Sequence, residues 1–185
     1  MPVAYKIDFF QGQFSVFWPD FLKQNAIIQV IIDWLTKTGI STKIMGIFRE
    51  GITIEKLNTS SHGNMVGHLG IRYTEIGEDF LVGTMPVDER TIQPMGLLHG
   101  GASVALAETL GSVASLCCID MSKFSPVGLE INANHIKSAR SGLVTGVAKA
   151  LHIGNRTHVW EIKITNENNE LVCASRITMA IIERK

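Results

Sequence analysis

Hydrophobic and polar residues alternate in six segments of the chain, two before and four after a long apolar stretch: 69–76, 80–87, 127–135, 143–151, 158–164 and 171–181. A period of two predicts β-strands with one face against a core. The trio Gly77-Glu78-Asp79 and the polar run 166–170 predict tight turns between neighbouring strands. The pattern therefore indicates an antiparallel sheet. In the segment 127–135, strict alternation predicts one shared face for Val127, Leu129, Ile131, Ala133 and His135.

The apolar stretch between the two groups of strands predicts a long helix over residues 99–118. Small residues recur along it, with glycines at 100, 101 and 111 and alanines at 102, 105, 107 and 114. Each glycine inside a helix costs roughly 1 kcal/mol relative to alanine, so close packing or chemistry should compensate. A single helix and a single sheet must bury each other. The predicted fold class is α+β, with an antiparallel sheet wrapped around one central helix.

The segments that flank these elements are shorter. Residues 52–57 predict a short helix with Thr53 as its N-cap, whereas 63–67 and the Pro94-containing segment 88–96 predict loops.

The first 44 residues form a separate N-terminal extension, and the main domain is expected over 45–185. Apolar residues at helical spacing predict an amphipathic helix over 21–34, behind Pro19 and Asp20. This segment either packs on the main domain or a partner, lies on a membrane surface, or results from a wrongly assigned start, since Met45 opens a run typical of an N-terminus. It lacks the features of a secretory signal.

Composition excludes several classes of function. The chain has 185 residues, with 17 basic and 17 acidic side chains, so a nucleic-acid footprint or a polybasic membrane patch is not expected. Three cysteines, two of them adjacent, fit neither a disulfide framework nor zinc-ligand spacing. Glycines, serines and a central glutamate argue against a membrane span over 95–118. We expect a cytoplasmic protein with no metal.

The stretch 95–118 contains a single formal charge, Glu108. Removing an isolated carboxylate from water is costly unless it is paired or hydrogen-bonded. This position therefore suggests a chemical need for the acid, although a glutamate that points to solvent would give the same sequence.

The segment 93–101 leads into the start of the helix and ends in His99-Gly100-Gly101. The first turn of a helix has free N–H groups and a partial positive charge, and glycine leaves them unobstructed. Such a turn suits a developing oxyanion or a phosphate. Glu108 lies about 12 Å further along the axis, beyond the roughly 3 Å that a base requires. If both groups act together, the geometry requires a neighbouring antiparallel helix, and hence a dimer with shared sites.

Three motifs together resemble a known family: Gln93-Pro94, GLLHGGASVALAETLGS at 96–112, and VGLEINANHIKSAR at 127–140. They are similar to the hotdog-fold acyl-CoA thioesterases of the PaaI/YdiI type, and in particular to the 1,4-dihydroxy-2-naphthoyl-CoA hydrolase-like branch of menaquinone biosynthesis. The similarity extends over 45–182. The extension has no counterpart in the family pattern.

The resemblance assigns the catalytic carboxylate to Glu108, as nucleophile or as general base. It implies that the Gly100 amide polarises the thioester carbonyl, that His99 and Gln93 orient the acyl group, the carbonyl or the water, and that Ser112 positions water. A buried structural histidine and ordinary polar side chains are the alternatives for these last three.

The resemblance also implies a surface for the coenzyme A moiety. Lys137, Arg140 and Arg156 would supply charge for its phosphates, unless they are ordinary exposed side chains. The full set is Gly128, His135, Ile136, Lys137, Ser138, Arg140, His152, Ile153, Gly154, Asn155, Arg156 and Thr157. His158 and Trp160 are interpreted as structural.

The function implied is hydrolysis of an acyl-CoA thioester to the free acid and coenzyme A. The acyl group is expected to be aromatic, either 1,4-dihydroxy-2-naphthoyl-like or benzoyl-like. No cofactor is expected, because coenzyme A is part of the substrate, and the partners expected are copies of the chain in a homodimer or homotetramer. Two alternatives are a non-catalytic acyl-CoA-binding module and a hotdog enoyl-thioester hydratase. The binding module would not need the glutamate. The hydratase uses a histidine with an aspartate or asparagine partner, and such a pair is not evident.

Overall fold

The computed structural model describes residues 7–10, 13–16 and 46–184. The chain divides into two compact units, Met1–Gly46 and Ile47–Lys185. In the first unit, strands β1 (Ile7–Phe10) and β2 (Gln13–Val16) pair antiparallel. The helix predicted over 21–34 lies outside the described residues.

The second unit contains the six-stranded antiparallel sheet that the alternation predicts. Its strands lie in the order β3-β4-β6-β7-β8-β5. Their bounds are β3 (Arg72–Ile76), β4 (Phe80–Pro86), β5 (Phe124–His135), β6 (Leu143–Ile153), β7 (Thr157–Thr165) and β8 (Leu171–Glu183). The first segment was expected to begin at 69, but Leu69 and Gly70 belong to the turn before β3.

Two short helices precede the sheet. Helix α1 (Ile54–Ser60) begins after Thr53, whose side chain accepts the Lys56 N–H as predicted for an N-cap. Residues 63–67 were expected to be a loop, but Asn64 caps a single helical turn, α2 (Met65–His68). The Asn64 side-chain oxygen accepts the first N–H groups of that turn, which is why a helical turn forms there.

The long helix α3 (Gly100–Cys118) begins after His99 and packs against strands β4 to β8 of the sheet. Small residues allow this approach on both sides. A β-carbon at Gly83 of β4 or at Gly146 of β6 would lie within 3 Å of the Leu110 side chain. At Gly111 of α3, a β-carbon would meet Ile177 of β8 at 2.4 Å. The glycines of the helix and the sheet therefore compensate their backbone cost through close packing.

Helix α3 is the only helix in the described part of the chain that is long and apolar enough to cross a membrane. Half of that helical window is buried inside the unit, and Leu106 and Leu110 are fully buried in the core. Its apolar character is therefore that of a core helix.

The segment 127–135 departs from the predicted alternation. Gly128 pairs with Met179 and Glu130 with Thr178, so Leu129 is an extra residue in a β-bulge. A bulge changes which side chains face each side of the sheet. Ile131 and Ala133 pack against the core as predicted, but Leu129 is 64% exposed and Val127 also faces away from it. The prediction of one shared face was therefore wrong for Val127 and Leu129.

Candidate active site

The turn that begins α3 is fixed by backbone and side-chain hydrogen bonds. The His99 N–H donates to the Thr91 carbonyl at 2.8 Å, and the Leu98 N–H donates to the Ala139 carbonyl at 2.8 Å. The exposed His99 side chain is the N-cap, and its Nδ1 accepts the Gly101 N–H at 2.8 Å. Because Nδ1 accepts, the neutral ring carries its proton on Nε2 and presents a donor there.

Gly100 follows as the first helical residue and lies directly beneath the His135 imidazole. A β-carbon at Gly100 would lie 2.7 Å from His135 Nε2, so only glycine fits without a shift. The N–H of a first-turn residue has no acceptor inside the helix. The positive end of α3 and this N–H together form a donor site for a carbonyl oxygen.

A cavity of about 300 Å³ opens at this turn. It brings together Gln93, Gly100 and four predicted coenzyme A residues with Ser103 and three apolar residues that the sequence did not predict for the site. The lining residues are Gln93, Leu97, Leu98, Gly100, Ser103, His135, Ile136, Lys137, Ser138 and Val172. The Gln93 carbonyl oxygen of the side chain accepts the Met95 N–H, so its side-chain NH₂ is the group left for a ligand.

Glu108 lies half-buried in the middle of α3 and forms no ion pair with any described residue. The Ser112 hydroxyl, one helical turn further on, donates to its Oε1 at 3.4 Å. Ser112 also contacts the Met179 sulfur at 3.8 Å. A β-carbon at Gly128 would lie 2.7 Å from Glu108 Oε1, so the acid is held between its own helix and strand β5.

The bulge at Leu129 explains why a glycine faces the acid. Strict alternation would place a leucine side chain there, but the extra residue turns Gly128 towards α3 and Leu129 outward. The sequence pattern alone does not reveal this shift, because the bulge has no side-chain signature other than the glycine itself.

These groups form two half-sites in one chain. We call Gly100, His99 and His135 the glycine half-site, and Glu108, Ser112 and Gly128 the carboxylate half-site. Gly128 pairs with Met179 of β8, and His135 pairs with Cys173 of β8. Met179 and Cys173 are six residues apart. At about 3.3 Å per residue, the two pairs lie about 20 Å apart along the strand.

The predicted coenzyme A residues are divided between the same two ends. Residues 135–138 line the cavity at the glycine half-site. The segment 152–157 contains the turn that closes the β6–β7 hairpin, and the Arg156 carbonyl accepts the Ile181 N–H at 2.9 Å. His158 beside that turn pairs with Met179, as Gly128 does, so the turn belongs to the carboxylate end. Within one chain, the set does not form one surface.

The basic side chains of this set are exposed. Lys137 forms an ion pair with Glu170, and hydrogen bonds from Asn166 and Lys137 hold the pKa of the Glu170 carboxyl below its usual value. Arg140 and Arg156 are exposed as well. Exposed pairs of this type contribute little to stability, so Lys137 remains available to a phosphate.

His158 and Trp160 are structural, as the sequence indicates. The Trp160 Nε1 donates to the Ser115 hydroxyl at 2.7 Å, and its ring stacks on Phe48. His158 is 2% exposed, and its Nδ1 has no hydrogen-bond partner among the described residues. Burial lowers the pKa of His158, so its ring is neutral at pH 7.

The two cysteines of α3 do not compete with Glu108 as nucleophiles. Burial raises the pKa of Cys117 to about 11 and that of Cys118 to about 12, so neither is a thiolate at neutral pH. No group of three potential metal ligands occurs among the residues that the structure describes. The chemistry of the two half-sites is that of a carboxylate and a backbone N–H donor.

Comparison with known proteins links this arrangement to a family. The model of the "Thioesterase superfamily" matches residues 95–173. The 1,4-dihydroxy-2-naphthoyl-CoA hydrolase of Escherichia coli is 57% identical over 136 residues, which cover 74% of this chain and 99% of that protein. The proofreading thioesterase EntH of Cronobacter sakazakii is 49% identical over 136 residues, or 74% of this chain and 98% of the relative.

Solved structures agree with the sequence comparison. A mutant of thioesterase PA1618 from Pseudomonas aeruginosa superposes with a TM-score of 0.74 at 47% identity. The match covers 75% of this chain and 100% of that chain. Thioesterase HI1161 from Haemophilus influenzae gives a TM-score of 0.72 at 47% identity, with 74% of this chain and 95% of that chain covered. The matched region corresponds in length to the unit that holds both half-sites.

Proposed function

This chain belongs to the thioesterase superfamily and has its hotdog fold, and from that premise we propose that it hydrolyses an aromatic acyl-CoA thioester in an active site shared between two copies of the chain. The relatives that it matches include a hydrolase of an acyl-CoA thioester and a proofreading thioesterase, which supports acyl-CoA thioester hydrolysis. The aromatic acyl group, the shared site and the roles of individual residues form the proposal.

The observation that carries the proposal is the placement of Glu108. It is the single acid in α3, it is half-buried without a cationic partner among the described residues, and it is held by Ser112 and Gly128. A carboxylate in such a setting is a nucleophile or a general base rather than a structural charge.

The shared site follows from the two half-sites. Strand β5 is an edge strand of the sheet, paired only with β8 among the described residues. If β5 pairs antiparallel with β5 of a second copy, the first half of one strand lies beside the second half of the other. A two-fold axis perpendicular to the sheet keeps both α3 helices on one side. The carboxylate half-site of one copy then faces the glycine half-site of the other.

The two edges of the sheet differ in a way that supports β5 as the pairing edge. At the other edge, β3 is short and irregular between Tyr73 and Glu75. The Asn58 side chain also binds both backbone polar groups of Tyr73. Asn58 Nδ2 donates to the Tyr73 carbonyl and Asn58 Oδ1 accepts the Tyr73 N–H, both at 2.9 Å. Natural sheets protect edges in this manner, whereas β5 presents 12 residues.

The same pairing reunites the divided coenzyme A residues. It places the 152–157 turn of one copy near residues 135–138 of the other. Arg156, Lys137 and Arg140 then provide positive charge from both copies for the nucleotide phosphates. The substrate would therefore extend across the interface, with its thioester near Gly100.

In this arrangement the Gly100 N–H binds the thioester carbonyl oxygen and stabilises the charge that develops there. The partner copy's carboxylate follows one of two routes. As a nucleophile, it adds to the carbonyl carbon, the C–S bond breaks, and water hydrolyses the resulting anhydride. As a general base, it takes a proton from water, hydroxide adds to the carbonyl carbon, and the proton passes to the departing thiolate. His99 Nε2–H and the Gln93 NH₂ orient the carbonyl or the water.

The aromatic acyl group is proposed from the relative whose name specifies one, the 1,4-dihydroxy-2-naphthoyl-CoA hydrolase of Escherichia coli, which is 57% identical to this chain.

A hydrolysis screen tests the proposal. The full-length protein is assayed for thiol release with 1,4-dihydroxy-2-naphthoyl-CoA, benzoyl-CoA, acetyl-CoA and palmitoyl-CoA. We expect kcat/KM for the two aryl substrates to exceed that for the other two by at least about tenfold, the scale on which apolar pockets discriminate. Equal rates for all four would contradict the aromatic assignment. Tight binding of aryl-CoA without turnover would indicate a binding module instead.

A further inference from the structure

The cavity beside Gly100 is lined by a serine hydroxyl that has no hydrogen-bond partner among the described residues. Ser103 is 2% exposed and lines this cavity, yet its side chain forms no hydrogen bond with any described residue. Every other buried serine of the unit does: Ser61 binds the Leu57 carbonyl, Ser115 accepts the Trp160 N–H, and Ser175 binds the Asn132 carbonyl. The Ser103 hydroxyl is reached from the cavity rather than enclosed in the core, so both its donor and its acceptor capacity are free for a ligand that enters there.

The position of Ser103 on α3 restricts what that partner is. Ser103 lies three residues after Gly100 and therefore on the same face of the helix. Helical side chains lean towards the N-terminus, so its hydroxyl lies beside the path of a ligand whose carbonyl is bound by the Gly100 N–H. The partner is thus a polar group next to the thioester carbonyl.

The other lining residues favour the thiol side of the substrate. Leu97, Leu98, Ile136 and Val172 are apolar, whereas Lys137 and Ser138 are polar and exposed. The pantetheine arm of coenzyme A has the same composition, with short methylene runs separated by amides. An amide that enters an apolar cavity without a hydrogen bond loses the solvation that it has in water. The unpaired hydroxyl and such an amide would satisfy each other.

We propose that the Ser103 hydroxyl binds the first amide of the pantetheine arm, and that Ser103 thereby selects thioesters of coenzyme A type over simple alkyl thioesters. This inference rests on the proposed thioesterase function and names a further binding residue of the same site.

The test compares three benzoyl thioesters with the same acyl group: benzoyl-CoA, S-benzoyl-N-acetylcysteamine, which retains the first amide, and S-butyl thiobenzoate, which has none. For Ser103→Ala, we expect kcat/KM to fall about 5- to 100-fold with the first two, the factor that an unsatisfied buried amide implies. We expect a change of less than about twofold with S-butyl thiobenzoate, because its arm has no group for the hydroxyl. Alanine is a better helix former than serine, so the variant should fold.

Ser122→Ala is the matched control, because the Ser122 hydroxyl bonds to the Asp120 carboxylate on an exposed loop after α3. It should leave all three rates unchanged. Equal losses of Ser103→Ala on all three substrates would mean that the hydroxyl binds the thioester itself or supports the helix, and would overturn the inference. So would no loss on any of them.

A binding measurement separates this inference from the proposed function. Phenacyl-CoA, a thioether that cannot be hydrolysed, is titrated calorimetrically into the wild-type protein and Ser103→Ala. We expect Kd to rise about 5- to 100-fold in the variant, and an unchanged Kd would overturn the inference. Failure of the wild type to hydrolyse any aryl-CoA would instead refute the proposed function, whatever the calorimetry shows.

Discussion

Gly128 of β5 lies so close to Glu108 of α3 that a β-carbon at Gly128 would be 2.7 Å from Glu108 Oε1. A sheet residue therefore limits the space of the acid on the helix. The contact depends on the bulge at Leu129, which turns Gly128 rather than a leucine towards α3. The local backbone of β5 thus determines where the carboxylate lies.

Replacement of Gly128 tests this dependence. Gly128→Ala introduces a methyl group that displaces the Glu108 carboxylate, and misplacement by about 1 Å can cost 100-fold in rate. We expect kcat for benzoyl-CoA to fall at least about tenfold while the thermal midpoint changes by only a few degrees. Thr178→Ala is the control, because Thr178 pairs with Glu130 on the outer side of the sheet. If kcat of Gly128→Ala equals that of the wild type, the glycine does not position the acid.

Loss of the carboxylate itself should affect turnover far more than assembly. Glu108→Gln keeps the size and the hydrogen bond with Ser112 but removes the charge. We expect kcat to fall by about 10²–10⁴, the contribution typical of a catalytic base. The oligomeric state, measured by light scattering, should not change. A variant with near wild-type kcat would show that Glu108 is only a structural side chain.

The pH dependence of stability should report the buried His158. Burial lowers its pKa in the folded protein, so the unfolded state binds the proton more readily. The stabilisation is complete above the unfolded pKa of about 6.5 and decreases as the pH falls below it. In urea unfolding between pH 5 and pH 7.5, His158→Leu should weaken this dependence. An identical slope in the variant and the wild type would exclude His158 as its source.

The sequence predicted the sheet and the central helix, because both follow from periodicity. It did not predict the bulge, since one extra residue at Leu129 leaves the apolar pattern of β5 nearly unchanged. It also missed the cavity position of Ser103, which depends on how α3 meets residues 135–138. Side chains from separate elements meet only through packing, and periodicity does not encode packing.

The separation of the two half-sites allows a complementation test of the shared active site. Gly100→Ala places a β-carbon 2.7 Å from His135 Nε2 and should disable the glycine half-site. Glu108→Gln should disable the carboxylate half-site, so each variant alone has two damaged sites per dimer. In a mixed dimer, one site combines the intact Gly100 of one copy with the intact Glu108 of the other. Random mixing makes half of the dimers mixed, and one of the two sites in each mixed dimer is intact. The total activity should therefore return to about a quarter of the wild-type value.

The two variants are co-expressed with different affinity tags, and the doubly tagged dimer is isolated by sequential purification. This dimer should reach about half of the wild-type kcat per dimer. The control is a doubly tagged dimer in which both copies carry Glu108→Gln, which should remain inactive. Because the damage lies on separate copies, recovery can arise only if one site draws groups from both. A doubly tagged Gly100→Ala and Glu108→Gln dimer as inactive as its parents would place each complete site within one chain and refute the shared arrangement.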